Sequence, residues 1–151
     1  MDHYGLSRQV LLEHQTLANV AAALRTTIGW SYDAADLSRK LSSLMFVGKS
    51  YKRHFRRLIK LEEEGGYLAV VLESRPELAD EVASLHQQHA QFRKALARVL
   101  VRLRRVDATD HAAFAAICGD LIALLDTIDR HNQRENGLLQ EALLRDEGGE
   151  G

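Results

Sequence analysis

Five side chains in this sequence have the types and the spacing to do inorganic chemistry: His14, Glu62, His89, His131 and Glu135. Each falls on an apolar stripe where a helical repeat demands a hydrophobic residue. A buried imidazole or carboxylate is costly unless it is paired, hydrogen-bonded or bound to a metal ion. His131 and Glu135 are four residues apart and therefore meet on one helical face. Imidazole nitrogen combined with carboxylate oxygen is a suitable ligand set for iron or manganese, and also for zinc. The alternative is a buried His–Glu hydrogen-bonded network that holds no metal.

The elements that must position these groups are helices. Four segments carry the alternating three- and four-residue spacing of a helix with one buried stripe. The first stripe is Val10, His14, Leu17, Ala21, Leu24, Ile28, and the second Leu37, Leu41, Leu44, Gly48, Tyr51, Phe55, Leu58, Glu62. The third is Leu78, Val82, Leu85, His89, Phe92, Leu96, Val99. The fourth is Phe114, Ile117, Leu121, Leu124, Ile128, His131, Glu135, Leu138, Ala142. Short breaks separate them: GWSYD from Gly29, the Ser74-Arg75-Pro76-Glu77 turn with the spacing of a capping box, and VDATD from Val106. Such short connections predict an all-α, antiparallel up-down four-helix bundle over residues 1–145, with a polar, glycine-rich, flexible tail at 146–151. Helix two is expected to run through Gly65-Gly66 to about Glu73. Counted from the breaks at 1.5 Å per residue, all five polar side chains fall in one layer roughly 15–20 Å from the same end of the bundle.

Composition bounds the reading. The chain has 151 residues, 46% hydrophobic and 27% charged, within the range of an ordinary globular domain. Its net charge of −1 implies no obligatory anionic partner. The single cysteine, Cys118, excludes an intramolecular disulfide and reads as a small buried residue. The N-terminus lacks the pattern of a signal peptide, and no apolar run is read as long enough for a membrane span, so a cytoplasmic location and no membrane partner are expected. No phosphate-cradling glycine loop is present, because EEEGGY lacks the strand–loop–helix context.

Four stretches resemble a haemerythrin-like (HHE cation-binding) domain of the bacterial single-domain type: LLEHQTL around His14, HFRRLIKLEEEGGYL at the end of helix two, LHQQHAQF around His89, and HNQRENGLLQEAL from His131. The resemblance covers most of the chain. It implies an antiparallel four-helix bundle around a non-haem di-iron centre. His14 would be the first-helix ligand, Glu62 and Glu135 bridging carboxylates, and His89 and His131 terminal imidazoles. The pattern departs where the family has two further histidines, at positions occupied here by Leu58 and Leu85. His54 lies one turn, about 6 Å, too far along to replace Leu58. His86 points roughly 100° away from the seam that Leu85 occupies. His3 and His111 are assigned no role.

The resemblance leaves three arrangements open: two irons with vacant positions, one metal ion, or a metal-free relic; manganese or zinc could stand in for iron. Open coordination favours reaction with a small diatomic or peroxide ligand (oxygen, nitric oxide or peroxide) over reversible oxygen carriage. The function expected is binding, sensing or detoxifying such ligands, or handling iron. The alternative from another class is a metal-free interaction module acting through a basic face. That face comprises Lys49, Lys52, Arg53, Arg56, Arg57 and Lys60 of helix two with Arg93, Lys94, Arg98, Arg102, Arg104 and Arg105 of helix three. It is read as a solvated, ion-paired surface rather than a nucleic-acid footprint, since no recognition motif accompanies it. Trp30 and Tyr32 are expected to plug the loop end of the bundle; a donor role for Tyr67 beside the metal layer is the less favoured reading of that residue.

Overall fold

A computed structural model describes residues 3–64 and 67–148. The described chain is all-helical, with α1 (His3–Gly29), α2 (Leu37–Glu63), α3 (Tyr67–Ser74), α4 (Ala79–Arg105) and α5 (His111–Gly148). Two short 3-10 turns, Ala34–Asp36 and Pro76–Leu78, lead into α2 and α4. The four long helices pack in a ring, α1 on α2, α2 on α4, α4 on α5 and α5 on α1, while the short α3 touches all four.

The buried stripes follow the sequence periodicity with small shifts. Val10, Leu17, Ala21 and Leu24 of α1 meet Leu44, Tyr51, Phe55 and Leu58 of α2, Leu96 and Leu103 of α4, and Phe114, Leu121 and Ile128 of α5 in one apolar core. On α5 the buried leucine is Leu125, with Leu124 half-buried, a slip of one position from the expected seam. Gly48 permits close approach of α2 and α4, because a Cβ there would lie 2.7 Å from a methyl of Leu100.

Helix two ends at Glu63, not near Glu73. The Glu64 N–H closes the last turn on the Lys60 carbonyl (2.9 Å), and a separate helix begins at Tyr67. Two consecutive glycines, each unfavourable by roughly 1 kcal/mol in a helix interior, oppose continuation; Gly65 and Gly66 themselves lie outside the described residues. Ser74 ends α3 with its hydroxyl donating back to the Val71 carbonyl (3.3 Å), while Glu77 pairs with Arg75 (2.6 Å). The N-terminus of α5 is capped by Asp110, whose carboxylate accepts from the Ala113 N–H (3.0 Å). α5 continues past Arg145 to Gly148, and residues 149–151 lie outside the described part.

The loop between α1 and α2 is closed differently from expectation. Trp30 is 54% exposed and plugs nothing. The closing cation is Lys40, which is buried and donates to the carbonyls of Ile28 (2.7 Å) and Trp30 (2.6 Å), satisfying the C-terminal end of α1. Tyr32 does pack there, edge-on to Phe114 and stacked on His111. Residues 111–138 of α5 do reach the length and composition of a membrane span, contrary to the sequence reading. One stripe of this helix is buried, however, and its outer side carries exposed Asp120 and Asp126, charges that lipid would not tolerate.

Candidate metal centre

Three of the four long helices meeting at the layer contribute an imidazole, and two contribute a carboxylate: His14 from α1, Glu62 from α2, His89 from α4, His131 and Glu135 from α5. All five are buried, with Glu62 at 0% and Glu135 at 1% exposure. Their stripes force this, since each occupies the inward position of its own helix.

Every imidazole turns its Nε2 inward. His14 Nε2 lies 3.0 Å from Glu62 Oε1 and 3.7 Å from Glu135 Oε2. His89 Nε2 lies 2.5 Å from Glu135 Oε1 and 3.2 Å from Glu62 Oε2. His131 Nε2 lies 2.8 Å from that same Glu135 Oε1. Two overlapping triads result, His89–His131–Glu135 and His14–Glu62–Glu135, each with its donor atoms within 4.8 Å of one another. Glu135 belongs to both.

The outer nitrogens show which lone pairs face the centre. His131 Nδ1 is 2.6 Å from Gln88 Oε1, an acceptor, so Nδ1 carries the proton and donates. His131 Nε2 then presents a bare lone pair to a carboxylate oxygen, and it makes no hydrogen bond there. Glu62 Oε2 is likewise buried without a hydrogen bond, although it stands 3.2 Å from His89 Nε2. Acceptors this close and this dry are reconciled by a cation between them or by an extra proton. A divalent cation fits on charge as well, since two carboxylates and three neutral imidazoles balance it.

Without a cation, a proton must substitute. Burial alone would depress the His89 imidazolium, but the Glu135 and Glu62 carboxylates beside it overturn that and push its pKa up to about 10. Burial would raise the Glu135 carboxyl, yet the His131 and His89 imidazoles beside it hold it below the ordinary range. Glu62 is raised, chiefly by burial and further by the neighbouring Glu135 charge. One carboxylate pushed down and the other pushed up is the signature of two acids sharing a site.

The remaining sequence candidates lie outside this cluster. Leu58 and Leu85 are fully buried. His54 is half-buried, with Nδ1 3.8 Å from Glu13. His86 is exposed and reaches Glu63 (3.3 Å). Cys118 is buried, and burial raises its thiol pKa. The side chain of Tyr67 lies outside the described part. On the basic face, Arg102 pairs with Asp120 (2.7 Å) and Arg57 lies 3.6 Å from Glu13.

Two residues escaped the sequence reading. Gln88 holds Nδ1 of His131, and Glu63 lies 3.4 Å from Nδ1 of His89. Each is a neighbour in sequence of a seam residue, Gln88 of His89 and Glu63 of Glu62, and that adjacency was the available signal. Such outer partners fix the tautomer and ring orientation of a ligating imidazole.

No match is found among curated proteins or among solved structures. The family comparison gives one: the model described as "Hemerythrin HHE cation binding domain" matches residues 6–143, a span that contains all five converging side chains. On that match, extending over nearly the whole chain, this protein belongs to the haemerythrin HHE cation-binding family.

Proposed function

We propose that His14, Glu62, His89, His131 and Glu135 hold one or two non-haem iron ions inside an antiparallel up-down four-helix bundle. The protein then binds, senses or detoxifies a small oxidant (oxygen, peroxide or nitric oxide), or handles iron itself. The observation carrying this reading is the pair of imidazole Nε2 atoms converging on Glu135 Oε1, at 2.5 and 2.8 Å, with the Nδ1–H of His131 already committed to Gln88. A carboxylate oxygen facing a bare nitrogen lone pair in a dry core is the arrangement a cation resolves.

When bound, the metal supplies Lewis acidity and redox capacity. The chain supplies the rest. Glu135 spans both triads, Glu62 completes one of them, and Gln88 and Glu63 hold two imidazoles with Nε2 inward. Leu58 and Leu85 exclude water from the sides where the family carries histidines. They also remove two donors, so the coordination sphere has positions that an external ligand can take. Such openness favours reaction over reversible carriage, which needs a saturated site.

Metal analysis of protein purified from cells grown in iron-rich medium tests the reading. One or two equivalents of iron per chain are expected. A chain carrying no metal, or binding DNA through the Lys49–Lys60 and Arg93–Arg105 segments with iron absent, would replace this reading with that of a metal-free interaction module. Zinc or manganese in place of iron would keep the site and remove the redox role.

A further inference from the structure

The outer face of α2 and α4 carries charge that the molecule itself does not neutralise. Residues 37–61 of α2 include no aspartate or glutamate, and residues 82–105 of α4 include none. These two stretches hold fourteen of the chain's twenty lysines and arginines and none of its twenty-one acidic residues. They lie side by side, since Gly48 faces Leu100, Phe55 meets Phe92 and Glu63 reaches His86. The two helices therefore run in opposite directions, with Arg56 level with Arg93.

Exposed Lys49, Arg53, Arg56 and Lys60 form a row roughly 16 Å long on α2, with exposed Arg93 and Lys94 beside it on α4. Of the lysines and arginines on the two stretches, only Arg57 and Arg102 have a carboxylate within ion-pairing distance among the described residues, Glu13 (3.6 Å) and Asp120 (2.7 Å). The sequence expectation of an ion-paired surface therefore fails for most of this face. Cations elsewhere are matched: Arg25 bonds Asp126 and Asp129, and Arg134 bonds Glu81. In the midst of the unmatched cations stands Phe46, 78% exposed. Lys49 and Arg53 follow it by three and seven residues, so ring and charges project from one stripe of α2.

We propose that this face docks reversibly on an anionic lipid bilayer, its cations against the headgroups and the Phe46 ring in the interface. A single exposed ring signifies nothing by itself. Within an unneutralised cationic face it makes the combination that interfacial helices present to anionic lipid. A nucleic acid would meet the same charge, but a single ring is not the series of aromatics on which successive bases stack. The net charge of −1 does not oppose docking, because screening over about 10 Å confines the attraction to the nearest face. The contact is peripheral and needs no spanning segment; it departs from the expectation of no membrane partner.

Co-sedimentation of the full-length protein with vesicles tests the proposal. Binding is expected to vesicles of phosphatidylcholine mixed with phosphatidylglycerol, not to phosphatidylcholine alone, and should vanish at about 1 M salt. Each cation near an anionic surface is worth about fivefold in partitioning, so Lys49→Gln/Arg53→Gln should bind roughly 25-fold more weakly. Phe46→Ser should lose about tenfold, by the same factor at every salt concentration where binding is measurable. Arg130→Gln/Arg134→Gln removes the same charge from exposed positions on α5 and should stay within about twofold of the parent. All these positions are exposed and none belongs to the metal centre, so metal content should be equal throughout. Equal binding to neutral vesicles, an equal loss in the α5 variant, or an unchanged Phe46→Ser would overturn the proposal. Failure to sediment with anionic vesicles while duplex DNA retains the protein would overturn it too, and assign the face to nucleic acid.

Discussion

Replacing Glu135 with alanine tests the shared carboxylate. Glu135 is 1% exposed and stands 2.5 Å from His89, 2.8 Å from His131 and 3.7 Å from His14. Its removal takes one donor from each triad, leaving two apiece. Loss of a group that merely orients a ligand costs 10–100-fold in metal affinity, so loss of a donor common to both triads should exceed about 100-fold. The metal-free protein should suffer too. Breaking a buried charge pair costs roughly 3–5 kcal/mol, and Glu62 remains 3.2 Å from His89 to soften the loss, which favours the lower figure. For a chain of this length about 3 kcal/mol corresponds to a fall in Tm of roughly 6–12 °C. Calorimetric titration with iron(II) or zinc reads the first effect, and scanning calorimetry of metal-free samples the second. A variant that binds metal as tightly as the parent, or melts at the same temperature, would refute the assignment of Glu135 to the centre.

Gln88→Leu removes the acceptor that commits His131 Nδ1 to its proton, and metal affinity should fall by about 10–100-fold while the fold is retained; competition with a chromophoric chelator measures it. In metal-free protein the raised pKa of His89 contributes stability that is fully present below its ordinary value near 6.5. That contribution is lost as pH rises towards about 10, so Tm should decline across this window. Metal-loaded protein, in which a cation replaces that proton, should show no such decline. Lys40→Met leaves the Ile28 and Trp30 carbonyls without their donor and should destabilise by roughly 1.5–3 kcal/mol, read by urea denaturation, without altering metal content.

The sequence discloses most of the candidate site because burial makes polar residues conspicuous. His14, Glu62, His89, His131 and Glu135 stand out for occupying positions that only apolar residues or satisfied polar ones can hold, and helical rise puts them at one height. The orienting partners are less legible. Gln88 and Glu63 sit one position from the seam, where polar residues are unremarkable, and only the packing of a neighbouring helix reveals what they face. Lys40 escaped for the same reason, since its role depends on where the chain returns after Gly29. The break after Glu63 was legible in Gly65-Gly66 but was outweighed by the apolar run that follows. That run became a helix of its own, α3.

Anomalous scattering at the iron edge, from crystals of iron-loaded protein, tests the centre itself. One or two peaks are expected in the space enclosed by Glu62 and Glu135 and the Nε2 atoms of His14, His89 and His131. Peaks confined to surface carboxylates, or none despite iron in the crystals, would contradict the account.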